Sequence, residues 1–201
     1  MIIGIPKEIK KHECRVGATP EMVHSFTKAG HEVFVETRAG NGMGFSDDMY
    51  LAAGAKMMNS HQDIYQSEMI IKVKEPQEDE CSLLKKGQIL FCFLHLALNS
   101  QLMKQLLEQK VIGIAYETIT DERGKPLVAL ALTKGIMPFV LMLADLGYKK
   151  ALQEHPGLRM GLNVYFGHVT HPLVAKDLRC KYVPPEKIIF SHHCLTSSCC
   201  G

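Results

Sequence analysis

At 201 residues the chain has room for one domain or one and a half, and 46% apolar beside 22% charged residues is a composition able to bury a core. A formal net charge of +2, with no basic run beyond the interrupted stretch Lys7 to Lys11, argues against binding of nucleic acid or another long polyanion. Seven cysteines at irregular spacing, behind an apolar start (Met1–Ile5) cut short by Pro6 and charges rather than extended into a signal peptide, lead us to expect reduced thiols and a cytoplasmic protein.

Strand-like apolar runs fall at Ile2–Ile5, Glu32–Val35, Met69–Val73, Ile89–Phe93 and Val111–Ala115, with a weaker one at Ala55–Met58. Several are apolar on consecutive positions, the pattern of strands covered on both faces. Helical patterns lie between them. Thr19-Pro20 supplies an N-cap and a first-turn proline for a helix whose apolar face is Met22, Val23, Phe26 and Ala29, ending at Gly30. Ser46 is expected to cap a helix that opens with Asp47-Asp48 and ends at Gly54. Asn99 is expected to cap the helix carrying Leu102, Met103, Leu106 and Leu107, and shorter helices are expected at Gln62–Gln66 and Asp79–Lys85. Repeated strand–helix alternation predicts an α/β fold: an open parallel sheet with helices on both faces, flavodoxin-like or Rossmann-like, with the short crossovers suiting the former.

From Asp121 the rhythm changes. Asp121 to Pro126 reads as a polar turn, Ile136–Leu146 as an apolar helix with Pro138 in its first turn, and Tyr148–His155 as a second helix ending at Pro156-Gly157. Leu127 to Ala144 approaches the minimum length of a membrane span, but Lys134 near its centre and Pro138 favour a buried helix. Val169–Leu178 is expected as a last helix. Beyond Pro184-Pro185 only a tail is expected, with Ser191–Gly201 disordered.

Three ionisable residues stand where a ligand would bind, beyond the carboxyl ends of parallel strands. Arg15 follows the first strand, Lys74 follows Met69–Val73, and His95 follows Ile89–Phe93 by one residue. An arginine fork, a lysine point charge and an imidazole suit a small carboxylate, with the imidazole free to give or take a proton near neutrality. Each residue alone fits a solvated loop equally well, and His95, between Leu94 and Leu96, also fits a half-buried structural histidine.

Ile3-Gly4-Ile5-Pro6-Lys7-Glu8, Glu13-Cys14-Arg15-Val16, Thr19-Pro20, Gly30-His31-Glu32-Val33 and Ala39-Gly40 through Gly44-Phe45 resemble the amino terminus of the alanine dehydrogenase and pyridine-nucleotide transhydrogenase superfamily. Lys72 to Pro76, Gly87 to Phe91 running into Leu94-His95-Leu96-Ala97, and Ala115 to Thr118 place the resemblance on the alanine dehydrogenase branch. Ala131-Leu132-Thr133, Pro138, Leu143-Ala144, Gly147, Gly161-Leu162-Asn163 and Val169-Thr170 are similar to the family's carboxy-terminal segment, although Lys134 stands where the family usually has Asn, and Phe139 where it has Tyr.

In the family an NAD-binding Rossmann domain separates these two segments. Here only residues 121–130 do. The resemblance therefore implies one substrate domain over residues 1–190, built from segments 1–120 and 131–190. It also implies that Arg15 and Lys74 hold pyruvate, that His95 is the acid/base group, and that the chain is a homo-oligomer. The family reaction is reversible NAD-dependent oxidative deamination of L-alanine, and it draws an aspartate from the Rossmann domain. The one glycine-rich stretch, Gly40 to Phe45, ends in Phe45 where a dinucleotide turn requires glycine, so it is read as an ordinary turn and NAD is not expected to bind this chain alone. The chain is accordingly expected to be inactive by itself; the alternative is a non-catalytic carboxylate-binding or subunit-association module. His192, His193, Cys194, Cys199 and Cys200 have no spacing of a metal site, and no metal is expected.

Overall fold

The computed structural model of the chain describes residues 1–121, 125, 126 and 132–190. The strands are β1 (Ile2–Ile5), β2 (Glu32–Glu36), β3 (Lys56–Met58), β4 (Met69–Ile71), β5 (Ile89–Cys92), β6 (Ile112–Ala115), β7 (Leu162–Tyr165) and β8 (His168–Val169). The helices are α1 (Pro20–Lys28), α2 (Asp47–Ala52), α3 (His61–Ile64), α4 (Glu78–Cys81), α5 (Ser100–Gln109), α6 (Leu132–Leu146), α7 (Tyr148–Glu154), α8 (Pro156–Met160), α9 (Pro172–Asp177) and α10 (Pro185–Ile189).

The strands form one sheet in the order β3-β2-β1-β4-β5-β6-β7-β8. The first six are parallel and take the Rossmann-type order, so the chain direction across the sheet reverses between β1 and β4. β7 and β8 then run antiparallel at one edge. Neither of these two antiparallel strands was expected from the sequence: Val169 ends β8 rather than opening a helix, and α9 starts only at Pro172.

Period-two alternation distributes the apolar strand residues to two cores. Ile3, Ile5, Val33, Val35, Met69, Ile71, Ile89, Phe91, Ile112 and Ile114 pack with residues of α1, α2, α6, α7, α8 and α10. Ile70, Leu90, Cys92, Val164 and Val169 pack with α3, α4, α5 and α9. Sheet bonding between β4 and β5 continues past their ends, through Lys72 N–H to Phe91 C=O and Phe93 N–H to Val73 C=O, which accounts for the longer apolar runs in the sequence.

Thr19 and Asn99 cap α1 and α5, accepting the N–H of Met22 and Leu102. Ser46 occupies the N-cap of α2 but makes no capping bond through its hydroxyl; instead the Asp47 carboxylate takes the Arg38 N–H at 2.7 Å. α4 stops at Cys81, well short of Lys85. α6 begins earlier than expected, which puts Pro138 inside the helix on its exposed side, while Ile136, Val140 and Leu143 face the core. α10, hidden in the sequence behind Pro184-Pro185, buries Ile188 and Ile189. The turn after β6 is pinned at its base by a Thr120–Pro126 bridge and by Asp121 N–H to Lys125 C=O at 2.9 Å. Residues 191–201, expected as a tail, lie outside the described residues.

Candidate active site at the sheet reversal

The reversal between β1 and β4 opens the sheet's carboxyl edge at the loops that carry Arg15 and Lys74. The loop after β1 lies directly on the end of β4. A Cβ on Gly17 would sit 2.4 Å from the Ile71 carbonyl oxygen, so only glycine permits the approach.

Glu8, near the start of that loop, is buried. One of its carboxylate oxygens accepts the Val73 N–H at 2.7 Å and the Lys74 N–H at 3.3 Å; the other lies 3.1 Å from the Lys72 ammonium. Lys72 is fully buried and also lies 2.7 Å from Glu80. Glu80 accepts the Tyr65 hydroxyl at 2.8 Å and the Gln77 N–H at 2.7 Å. His61 completes the group, 3.4 Å from Glu80 through Nε2 and 2.7 Å from Glu36 through Nδ1.

Burial opposes every charge in this network, and the partners decide the outcome. Lys72 is driven down by burial, but Glu8 and Glu80 more than reverse this and leave it raised. Burial would raise Glu80, yet His61 and Lys72 hold it at about 2. The Glu36 and Glu80 carboxylates lift His61 to about 9. For Glu8, burial prevails over Lys72 and the net direction is upward. The sequence reading passed over this network, although a lysine within the apolar run Met69–Val73 was its visible signal.

Arg15 is gripped by Glu13 at two points, Nε at 2.8 Å and Nη2 at 2.6 Å. The Arg15 hydrogen bonds hold Glu13 down at about 2. An arginine has five N–H donors, so three remain for a ligand. The positive charge of Lys74 also reaches Glu13, which ties it to the Arg15 side of the rim.

On its other side, the Lys74 ammonium lies 5.9 Å from the Phe93 ring centroid. The His95 imidazole stacks on the same ring, with centroids 5.5 Å apart and planes 6° from parallel. Phe93 rests edge-on against Tyr116, whose hydroxyl donates to the Lys72 carbonyl at 2.9 Å. Arg15 in the loop after β1, and Lys74 and His95 just beyond β4 and β5, are therefore linked through Glu13, Phe93 and the turn held by Glu8.

A cleft of about 240 Å³ reaches Arg15 from the side of Lys7, Arg38 and Asn41, and neither Lys74 nor His95 lines it. A larger cavity of about 650 Å³, between Phe139 and the α7–α8 corner, shares no lining residue with the rim. The Gly40–Phe45 stretch forms a short 3-10 turn at Asn41–Met43. A Cβ at Gly42 would meet the Cys14 carbonyl at 2.4 Å, and one at Gly40 would meet Phe45 and Tyr50. Among the described residues no group of three or more His, Cys, Asp or Glu side chains is placed to hold a metal ion, and no helix is long and apolar enough to cross a membrane. The His/Cys pairs after Ser191 lie outside the described residues.

Residues 4–137 match the family model for the alanine dehydrogenase/PNT N-terminal domain. The chain belongs to this family. Its alanine dehydrogenase/PNT relatives include an alanine dehydrogenase of Methanococcus maripaludis, 50% identical over 130 residues, covering 64% of this chain and 35% of that protein. An alanine dehydrogenase of Staphylococcus saprophyticus is 49% identical over 129 residues, again 64% of this chain and 35% of the relative. This chain thus spans about a third of the length of the relatives it matches.

Among solved structures, an L-alanine dehydrogenase shares the fold with a TM-score of 0.85 at 22% identity, covering 89% of this chain and 99% of that one. A transhydrogenase from Sinorhizobium meliloti aligns with a TM-score of 0.58 at 27% identity, covering 61% and 37% of the two chains. The α/β sheet is that of the alanine dehydrogenase/PNT fold.

Proposed function

We propose that this chain is the pyruvate- and L-alanine-facing domain of an alanine dehydrogenase, with Arg15 and Lys74 as the substrate grip and His95 as the acid/base group. The observation that carries the reading is the placement of these three residues in the segments that follow β1, β4 and β5, at and beside the sheet reversal. The free N–H groups of Arg15 take the substrate carboxylate, and Lys74 sets a positive charge against the carbonyl oxygen. His95, exposed at the rim, holds or releases the proton that the reacting centre exchanges.

In the family the hydride passes to NAD. Gly40 and Gly42 of the one glycine-rich stretch pack against Phe45, Tyr50 and Cys14, and in this reading the residues of the chain bind, orient and move a proton only. We infer that segments 1–120 and 131–190 make one substrate domain joined at 121–130, that the chain works as a cytoplasmic homo-oligomer, and that alone it does not turn over. Support for the joint comes from the Thr120–Pro126 bridge and from β7 continuing the sheet beside β6. The alternative of an association module draws on the half-buried Met137, Phe139, Leu141 and Met142 of α6.

The test is calorimetry with pyruvate on the chain and on Arg15→Ala and Lys74→Ala. Heat that is lost in both variants is expected; equal heats in all three would remove the site. NADH oxidation with pyruvate and ammonia is expected to be absent, and turnover by the purified chain would overturn the inactivity.

A further inference from the structure

His95 adopts a left-handed backbone conformation, φ 48° and ψ 35°, which residues with a side chain seldom take without support. The support comes from the neighbouring strand. Glu117 lies in the 3-10 turn Tyr116–Thr118 after β6, and its carboxylate receives two consecutive main-chain donors. The Leu94 N–H reaches it at 3.2 Å and the His95 N–H at 2.7 Å. The same oxygen lies 4.0 Å from His95 Nδ1. The ring is thus stacked on Phe93 by its face, and the carboxylate stands beside Nδ1 at a distance where it acts by its charge rather than by a hydrogen bond.

The arrangement parallels Glu8, which takes the Val73 and Lys74 N–H groups one strand away. Glu8 is tied up with buried Lys72, whereas the Glu117 side chain is 24% exposed and its described ion pair is with His95. Its charge is also felt by His171, a second, buried imidazole on the segment after β8, whose Nδ1 makes no hydrogen bond among the described residues.

We propose that Glu117 is a positioning residue that locks the left-handed turn at His95 and holds the ring proton on Nδ1, so that Nε2 is the nitrogen that exchanges a proton with the ligand. Which imidazole nitrogen carries the proton follows from the partner offered to the other. In free histidine the neutral ring carries it mainly on Nε2, so a carboxylate beside Nδ1 reverses the preference. The inference rests on His95 being the acid/base group, but its test does not require a ligand.

The experiment is nitrogen NMR of the full chain labelled with 15N-histidine, at a pH where the His95 ring is neutral, with its signals assigned by their loss in His95→Asn. The wild-type ring is expected to be predominantly Nδ1–H and the Glu117→Gln ring predominantly Nε2–H. Exchange of the His95 amide is expected to quicken about tenfold in Glu117→Ala and less in Glu117→Gln, which keeps one oxygen to accept the N–H. A carboxylate that served only the backbone would change amide exchange and leave the ring tautomer alone. The proposal is overturned by a ring that is already Nε2–H in wild type, or by the same tautomer in wild type and folded Glu117→Gln. If Glu117→Ala does not fold, the glutamine variant decides. Pyruvate calorimetry on Arg15→Ala and Lys74→Ala separates the claims: equal heats there remove the proposed site, while a tautomer that switches in Glu117→Gln still supports Glu117 as the residue that positions the ring.

Discussion

Lys72 Nζ lies 2.7 Å from Glu80 and 3.1 Å from Glu8, with none of the three side chains more than 2% exposed. Lys72→Met deletes the cation between two buried carboxylates, leaving Glu80 to His61, Tyr65 and the Gln77 N–H and leaving Glu8 to the Val73 and Lys74 N–H groups alone. Breaking a buried ion pair from one side costs about 3–5 kcal/mol. Urea denaturation of Lys72→Met is expected to show a loss of that order, and a loss below about 1 kcal/mol would show that the carboxylates find other partners.

The same network dictates a pH profile. His61 is raised from 6.5 to about 9, so its contribution is complete below pH 6.5 and is lost as pH climbs toward 9. Glu80 is lowered from 4.5 to about 2, so its contribution is present above pH 4.5 and is lost as pH falls toward 2. Glu8 is raised and works in the opposite sense to Glu80, which blunts the acid limb. On the alkaline limb, urea midpoints measured from pH 6.5 to 9 should fall, by at most about 3 kcal/mol in stability at 1.36 kcal/mol per pKa unit. His61→Gln should flatten that limb. A wild-type slope that persists in the variant would assign it to another group.

Gly17→Ala places a methyl group 2.4 Å from the Ile71 carbonyl oxygen, against backbone that is fixed in the sheet. The loop after β1 must lift, at a cost of about 1–3 kcal/mol. Since Arg15 rides on that loop, pyruvate heats should drop together with the melting temperature. A variant as stable as wild type would mean that the loop moves without cost.

Glu13→Gln tests the two-point grip on Arg15 from the other side. Glu13 is held at about 2 and stays charged at neutral pH, so it cancels part of the arginine's field. Its neutral isostere should strengthen pyruvate binding by about threefold at low salt, less at high salt. Weaker binding would mean that Glu13 is needed to aim the guanidinium rather than competing for it.

How much could be read in advance depended on how each element announces itself. Met69–Ile71 and Ile89–Cys92 are apolar at every position because both faces are covered, and that run is visible in a single sequence. β7 places Asn163 among Leu162, Val164 and Tyr165, and β8 is two residues long; neither pattern has a period to detect. α10 gives only Ile188 and Ile189 after a double proline, and its burial is decided by tertiary packing. Arg15, Lys74 and His95 could be put forward as candidates because strand ends are where ligands bind. Glu8, Glu80, His61 and Glu117 were not, since what matters in them is which distant atoms they meet: Glu8 and Val73 are 65 positions apart.

The two margins of the sheet are both poor templates for further strands. β3 offers three residues, starting with an exposed lysine, and β8 offers two that turn at once into Thr170 and α9. Parallel β6, four buried residues long, would be an adhesive border if β7 did not cover it. Removing residues 156–190 should therefore expose the β6 border and favour polymerisation by backbone pairing.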